Sequence, residues 1–116
     1  MKITRIYADE KGESHFEDMK IELRETSNIG RLSKELNATG LFLRETPADF
    51  KYSWHTVPER LCIITLSGES EIEVSDGEIR QFKAGDVLIA EDTTGKGHIS
   101  RSISQTSRQT IVITLD

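Results

Sequence analysis

Three glycine turns, at Ser67-Gly68, Asp76-Gly77 and Ala84-Gly85, divide the middle of the chain into short apolar runs. Turns that recur every ~8–12 residues are typical of a β-sandwich or β-barrel. The Asp76-Gly77 pair predicts a hairpin with a two-residue type I′ turn, in which both central residues have positive φ. This spacing predicts an all-β protein.

The segments between the turns have the length and the alternation of β-strands. The predicted strands are Lys2–Ala8, Phe16–Leu23, Leu41–Glu45, Leu61–Leu66, Ile72–Val74, Ile79–Phe82, Asp86–Ala90, Ile99–Ile103 and Thr110–Leu115. Leu61–Leu66 is apolar almost throughout, which predicts a strand covered on both faces, inside a two-layer β structure or at a dimer contact. Arg31–Leu36 has room for one or two turns of helix. We expect the 116 residues to form one domain, residues 1–116.

Charge and composition restrict the classes of partner. A net charge of -5 argues against nucleic acid and membrane surfaces, which both favour a basic face. No apolar run approaches the ~20 residues that span a bilayer, and the N-terminus has no apolar signal-peptide core. The single cysteine, Cys62, rules out an internal disulfide and lies in an apolar run, which favours a reducing cytoplasm and an inert thiol in the core.

Around the turn glycine Gly68, the sequence resembles that of a known family, the cupins. Anchored on this glycine, the first cupin motif places its His-x-His pair at His55 and Val57 and its glutamate at Leu61. The stretch Glu91–His98 is also similar to a loop of small bacterial single-domain cupins. The resemblance implies a cupin-like jelly roll, that is, a double-stranded β-helix barrel, and a homodimer.

The second cupin motif departs from the family pattern. Anchored on Gly85, its histidine is expected at Lys96, but the histidine of this chain is His98, two residues later. A typical cupin binds one divalent transition metal (Fe, Ni, Mn or Zn) with three histidines and a carboxylate. Here the resemblance implies a metal site of His55 and His98 with Glu59 or Asp92.

Two metal-free alternatives remain open at the same residues. In the first, the site is a degenerate cupin pocket in which His55 and His98 bind a ligand or each other. In the second, a histidine acts as general base while Asp92 fixes its tautomer, as in an isomerase.

Several other side chains are candidates for ligand binding. The glycines of the loop Asp92–His98 leave N–H groups free for an anion, and the loop is expected to line or cover the mouth of the barrel. Inward arginines select carboxylate or phosphate, and among Arg44, Arg60 and Arg101 the strongest candidate is Arg60. The remaining candidates are the loop residues Thr93, Thr94 and Lys96 and the aromatic residues Tyr52 and Trp54.

The sequence therefore predicts a cytoplasmic small-molecule-binding protein with a degenerate cupin site and a small anionic metabolite as ligand. The alternative is an enzyme: a metal-dependent oxygenase or isomerase that uses His55 and His98, or a metal-free His–Asp isomerase. The enzyme requires these histidines and a carboxylate to converge, whereas the binding protein requires only a pocket.

Overall fold

The computed structural model describes residues 1–26 and 28–116, and within them every regular element is a strand. The strands are β1 (Lys2–Ala8), β2 (Ser14–Lys20), β3 (Arg24–Thr26), β4 (Gly30–Leu32), β5 (Ala38–Thr46), β6 (Lys51–His55), β7 (Leu61–Ser67), β8 (Ser70–Val74), β9 (Ile79–Phe82), β10 (Val87–Ala90), β11 (His98–Ser102) and β12 (Arg108–Leu115). The all-β prediction is confirmed. In this part of the chain no helix is long and apolar enough to cross a membrane.

The strands form two main sheets and a small hairpin. The six-stranded sheet has the order β2-β1-β10-β7-β12-β5, and the four-stranded sheet has the order β6-β11-β8-β9. Strands β3 and β4 pair with each other as a separate two-stranded sheet. The β1–β10 pair is parallel and the other pairs are antiparallel.

The core between the two main sheets comes from alternating inward residues. Its buried members are Ile6, Phe16, Ile72, Val74, Phe82 and Leu88. A second cluster covers the outer face of the larger sheet, with Ile3, Cys62, Ile89 and Leu115. Burial of one such apolar side chain is worth about 1.5–3 kcal/mol, so the two clusters fix the sheets in place.

Strand β7 is covered on both faces from Leu61 to Thr65, as the apolar run predicts, whereas Leu66 is exposed. Ile63 and Thr65 face the space between the sheets, while Cys62 and Ile64 belong to the outer cluster. Strands β10 and β12 flank β7 on either side, so β7 lies inside the sheet and has no free edge.

Two local predictions are wrong. No helix forms at 31–36, because Gly30–Leu32 pairs with Arg24–Thr26 as a hairpin. Asp76-Gly77 is not a type I′ turn: Gly77 has a φ of 99°, but no non-glycine residue in the described part of the chain has positive φ. The Gly77 N–H donates to the Val74 carbonyl, which gives a three-residue loop with a glycine bulge.

Candidate functional site

A cavity of about 200 Å³ lies between the two sheets. Its apolar walls come from Ile63 and Leu88 on the larger sheet and from Ile72 and Phe82 on the smaller one. Its most polar groups are a pair of histidines and a pair of arginines, and the lining also includes the hydroxyl residues Tyr52, Thr56, Thr65, Ser70 and Ser100. A small, mostly apolar cavity with few polar groups is the usual form of a metabolite site.

His98 is held by a buried carboxylate. It opens β11, and its Nδ1 lies 2.6 Å from Oδ2 of Asp92, which is fully buried on the loop after β10. A carboxylate only accepts, so Nδ1 carries the proton and Nε2 remains free to act as a base. The other carboxylate oxygen of Asp92 has no hydrogen-bond partner among the described residues.

His55 lies next to His98 on the neighbouring strand. The two residues are directly paired between β6 and β11, with ring centroids 4.4 Å apart. His55 Nδ1 donates to the Ser53 carbonyl at 2.7 Å, and its ring stacks on Tyr52 at 3.7 Å. Burial lowers the pKa of His55, and the nearby His98 lowers it further. His55 is therefore neutral at pH 7 and also leaves Nε2 free.

Neither cavity arginine has an acidic partner in the described part of the chain. Arg44 on β5 and Arg108 on β12 both line the cavity, and Arg108 is only 5% exposed. The Arg108 Nε has no hydrogen-bond partner within residues 1–26 and 28–116. Burial lowers the pKa of both side chains, and the charge of Arg44 lowers that of Arg108 further. Arg108 is buried, whereas Arg44 is still partly open to solvent, and the two guanidinium charges repel each other.

No acidic side chain lines the cavity in the described part of the chain, although the protein carries a net charge of -5. Asp92 approaches the site only from behind His98. The cavity is thus a positive region inside an acidic protein. A cavity of this charge favours an anionic ligand, because the anion would balance the positive charge of the arginines.

The residues do not fit a cupin metal centre. Within residues 1–26 and 28–116, no three histidine, cysteine, aspartate or glutamate side chains come together as metal ligands. Glu59 is exposed and does not line the cavity. Asp92 binds the Nδ1 of His98, the position of a group that orients a ligand. His55 and His98 alone remain, one ligand short of the facial two-histidine, one-carboxylate set.

The loop from Asp92 to His98 is packed against the protein and does not cover the cavity. A Cβ on Gly97 would overlap the His55 carbonyl, and one on Gly95 would collide with the Gly12 carbonyl. The Lys96 N–H donates to the Gly12 carbonyl, and its Nζ lies 2.5 Å from Glu13. Thr93 and Thr94 are exposed outside the cavity. Only His98 of this loop lines the site.

The other candidates divide between the cavity and the outer surface. Tyr52 lines the cavity, whereas Trp54 is exposed and does not. Arg60 lies outside, where its Nε donates to Glu91 and its Nη1 to the Asp116 carbonyl. Arg101 also lies outside, where it is held by two glutamates of β8.

Sequence reasoning missed Arg108. The predicted strand began at Thr110, but β12 begins at Arg108, and residues 108, 110, 112 and 114 are all buried. This period of two continues the inward face by one more residue, which was the available signal. An arginine on the strand face that points into the core indicates a polar site there.

The fold matches several solved structures. No protein-family model matches the chain, and no curated protein matches it significantly. The Cnp3 cupin domain of Schizosaccharomyces pombe is 16% identical, with a TM-score of 0.54, over 99% of this chain and 88% of that one. An uncharacterized protein of Klebsiella pneumoniae with a double-stranded β-helix domain is 21% identical, with a TM-score of 0.54, over 78% and 81%.

A cupin domain from Bordetella pertussis is 15% identical, with a TM-score of 0.53, over 84% of this chain and 97% of that one. At these identities the similarity concerns the backbone. The two sheets, the turn glycines and these structures agree on one architecture. The chain therefore has the cupin fold, the double-stranded β-helix.

Proposed function

We propose that this protein binds a small anionic molecule in the cavity between its sheets, with the ligand carboxylate or phosphate on Arg44 and Arg108. One observation carries the proposal: Arg108 is buried, its Nε has no partner among the described residues, and a second arginine lies beside it. A buried charge without a partner costs free energy, and structures rarely retain one without a use.

The guanidinium group suits this role. Its planar donors match the two oxygens of a carboxylate or phosphate, and hydrogen bonds between charged groups are about twice as strong as neutral ones. The two arginines lie on adjacent strands, since Arg44 pairs with Thr110 and Arg108 pairs with Thr46. Together they can bind one anionic group from two sides.

The size and walls of the cavity define the ligand class. The volume of about 200 Å³ is below the ~300–1,000 Å³ typical of drug-sized ligands. Apolar side chains make up most of the remaining lining, so we expect a ligand with one charged group and a compact, less polar body. Small organic acids and phosphorylated metabolites of the cytoplasm, where we place the protein, fit this description.

A second candidate is supported by the 2.6 Å contact between Asp92 and His98. The carboxylate fixes the tautomer that leaves Nε2 as a base, and histidine is the side chain that most often transfers protons in enzymes. A bound acid whose α-carbon lies near Nε2 would exchange its proton there. This is the metal-free isomerase alternative, and it uses the same ligand class.

The binding proposal is tested by calorimetric titration with inorganic phosphate and a series of small mono- and dicarboxylates. We expect the wild type to bind at least one of them and Arg108→Met to bind about tenfold or more weakly, since a hydrogen bond to a charged group contributes ~1.5–3 kcal/mol. Arg101→Met is the matched control on the outer surface and keeps the affinity. The proposal fails if none of these anions binds, or if Arg108→Met binds as well as the wild type.

The enzyme candidate is tested by incubation of the bound acid in D₂O. The wild type should introduce deuterium at the α-carbon, as measured by proton NMR, and Asp92→Asn should do so more slowly at equal occupancy. If the wild type binds the acid but introduces no deuterium, the isomerase candidate is rejected and the binding proposal remains.

A further inference from the structure

Strand β5 is an exposed apolar edge. It is the last strand of the six-stranded sheet and pairs only with β12 within residues 1–26 and 28–116. Three consecutive large side chains on it are exposed: Leu41 by 58%, Phe42 by 63% and Leu43 by 78%. Consecutive residues point to opposite faces, so both faces of this strand present apolar surface.

Of the other three edges of the main sheets, β2 and β9 are protected by charge or short length, whereas β6 has five residues and exposes Tyr52 and Trp54. Strand β2, at the opposite edge of the same sheet, has the charged residues Glu17, Asp18 and Lys20 in its exposed half. Strand β9, at the edge of the smaller sheet, is four residues long and carries Arg80. Short length and charge are the usual protection of an edge against pairing, and β5, with nine residues, has an apolar centre instead.

We propose that β5 pairs antiparallel with β5 of a second copy of this chain, across a two-fold axis at Phe42. The six-stranded sheets of the two copies then form one continuous sheet. A two-fold contact of this kind is closed and self-complementary, so it produces a dimer and not a fibre.

Side-chain complementarity selects this register. The axis is perpendicular to the sheet, so opposed residues share a face. With the axis at Phe42, Leu41 faces the partner's Leu43, and Arg44 faces the partner's Gly40, where the missing side chain leaves room. An axis at Leu43 would place Glu45 against the partner's Leu41. An axis at Arg44 would place two arginines directly opposite each other, which is destabilising.

The pairing also bears on the cavity. Arg44 lies on the inner face of β5 and lines the cavity, yet its strand is open to solvent on the other side. The paired strand would cover Arg44 and exclude water from its guanidinium group. This effect on ligand binding rests on the function proposed above, whereas the dimer itself does not.

The dimer is tested by light scattering after size exclusion. We expect the wild type at twice the 13.1 kDa of the chain, and Leu43→Lys at the mass of one chain. Leu43 is mostly exposed in one copy, so the substitution spares the fold. Ile79→Lys is the matched control, an exposed apolar residue on the edge strand β9, and stays a dimer. A monomeric wild type, or a dimeric and folded Leu43→Lys, overturns the proposal.

The register is tested by disulfide formation. Phe42→Cys should cross-link two copies on mild oxidation, because directly opposed Cα atoms lie ~4.5–5.5 Å apart, within the range that a disulfide spans. Leu43→Cys should not, since it faces the partner's Leu41. The native Cys62 is buried and does not compete. Failure of Phe42→Cys to cross-link, or cross-linking of Leu43→Cys alone, overturns the axis at Phe42.

Ligand affinity separates the two proposals. Leu43→Lys should bind the anion more weakly than the wild type, while Arg108→Met should keep the dimer mass. If no anion binds at all, the mass and cross-linking measurements still decide the dimer. If Leu43→Lys is monomeric and binds as tightly as the wild type, β5 pairing does not cover the site.

Discussion

The arginines of the outer surface and those of the cavity use the same side chain in opposite ways. Outside, Arg5, Arg60, Arg80 and Arg101 each contact at least one carboxylate. In the cavity, Arg44 and Arg108 face each other without a carboxylate among the described residues. In a protein with twenty acidic residues, this exclusion of carboxylates from one cavity is the basis of the anion site that we propose.

The two settings also differ in energy. Exposed ion pairs contribute ~0–1 kcal/mol each, because water screens the charges and holding the side chains costs entropy. Burial of an arginine without a partner is unfavourable until a ligand arrives. The outer arginines are thus nearly neutral for stability, whereas the buried Arg108 is expected to reduce the stability of the free protein.

The largest effect is expected from placing a carboxylate beside the two cavity arginines. Thr110 lies directly opposite Arg44 and two residues from Arg108 on the same strand face. Thr110→Asp supplies an internal partner, so anion affinity should fall at least tenfold, roughly the value of one charged hydrogen bond. Calorimetry measures the loss, and Thr110→Val is the control that keeps the shape and the affinity. Undiminished binding by Thr110→Asp would contradict the anion site.

The next largest effect is expected on stability, when the loss of a buried carboxylate is compared with the loss of an exposed one. Asp92→Leu leaves the buried Nδ1–H of His98 without an acceptor, so the free energy of unfolding should fall by about 1–3 kcal/mol. Asp18→Leu removes the exposed partner of Arg80 and should cost less than about 1 kcal/mol. Urea unfolding compares the two, and equal losses would show that the Asp92–His98 contact is no stronger than a surface pair.

A smaller effect of opposite sign is expected at Arg108. Arg108→Met keeps the aliphatic stem and removes the unpaired charge, so the ligand-free protein should gain about 1 kcal/mol in unfolding free energy, as is common when a binding residue is replaced. Arg80→Met should change it by less than about 1 kcal/mol or lower it. Loss of stability in Arg108→Met, with the fold intact, would mean that the arginine has a structural partner.

The smallest effect is a difference between the pKa values of His15 and His55. Hydrogen bonds to Asp9 and Asp76 raise the pKa of His15, whereas burial, with the nearby His98, lowers that of His55. The His15 contribution to stability is present below the unfolded pKa of 6.5 and is lost as the pH rises through the higher folded value. His55 acts oppositely, because below 6.5 the unfolded chain takes up the proton first.

NMR titration of the histidine ring protons measures both groups. His15 should titrate above 6.5 and His55 below it, and a bound anion should raise the pKa of His55 by adding negative charge nearby. Titration of His55 above His15 in the free protein would contradict the account of the cavity as a positive, desolvated site.

The sequence predicted the fold better than the site. Alternation and the turn glycines located most strands, since these signals are local. The resemblance to the cupins predicted that His55 and His98 lie in the same site, and the structure places them side by side. The position of Asp92 beneath His98 stayed one of two alternatives, because it depends on the path of a loop.

Arg60 and Arg108 show the limit of pattern reasoning. Arg60 lies within the motif, yet it sits just before β7 and bonds Glu91 outside the barrel. Arg108 lies two residues before the predicted start of its strand. Because the sequence placed it outside the strand, the face to which its side chain points could not be predicted. Which arginine enters a cavity depends on strand register, which long-range pairing decides.

The most direct test of the anion site is the Nε–H resonance of Arg108 in a ¹H–¹⁵N NMR spectrum. This proton is buried and has no partner within residues 1–26 and 28–116. On titration with the anion that binds best by calorimetry, the Arg108 resonance should shift to saturation with the same affinity, while that of Arg101 stays in place. An Arg108 resonance that does not move while the anion binds would show that the ligand is held elsewhere.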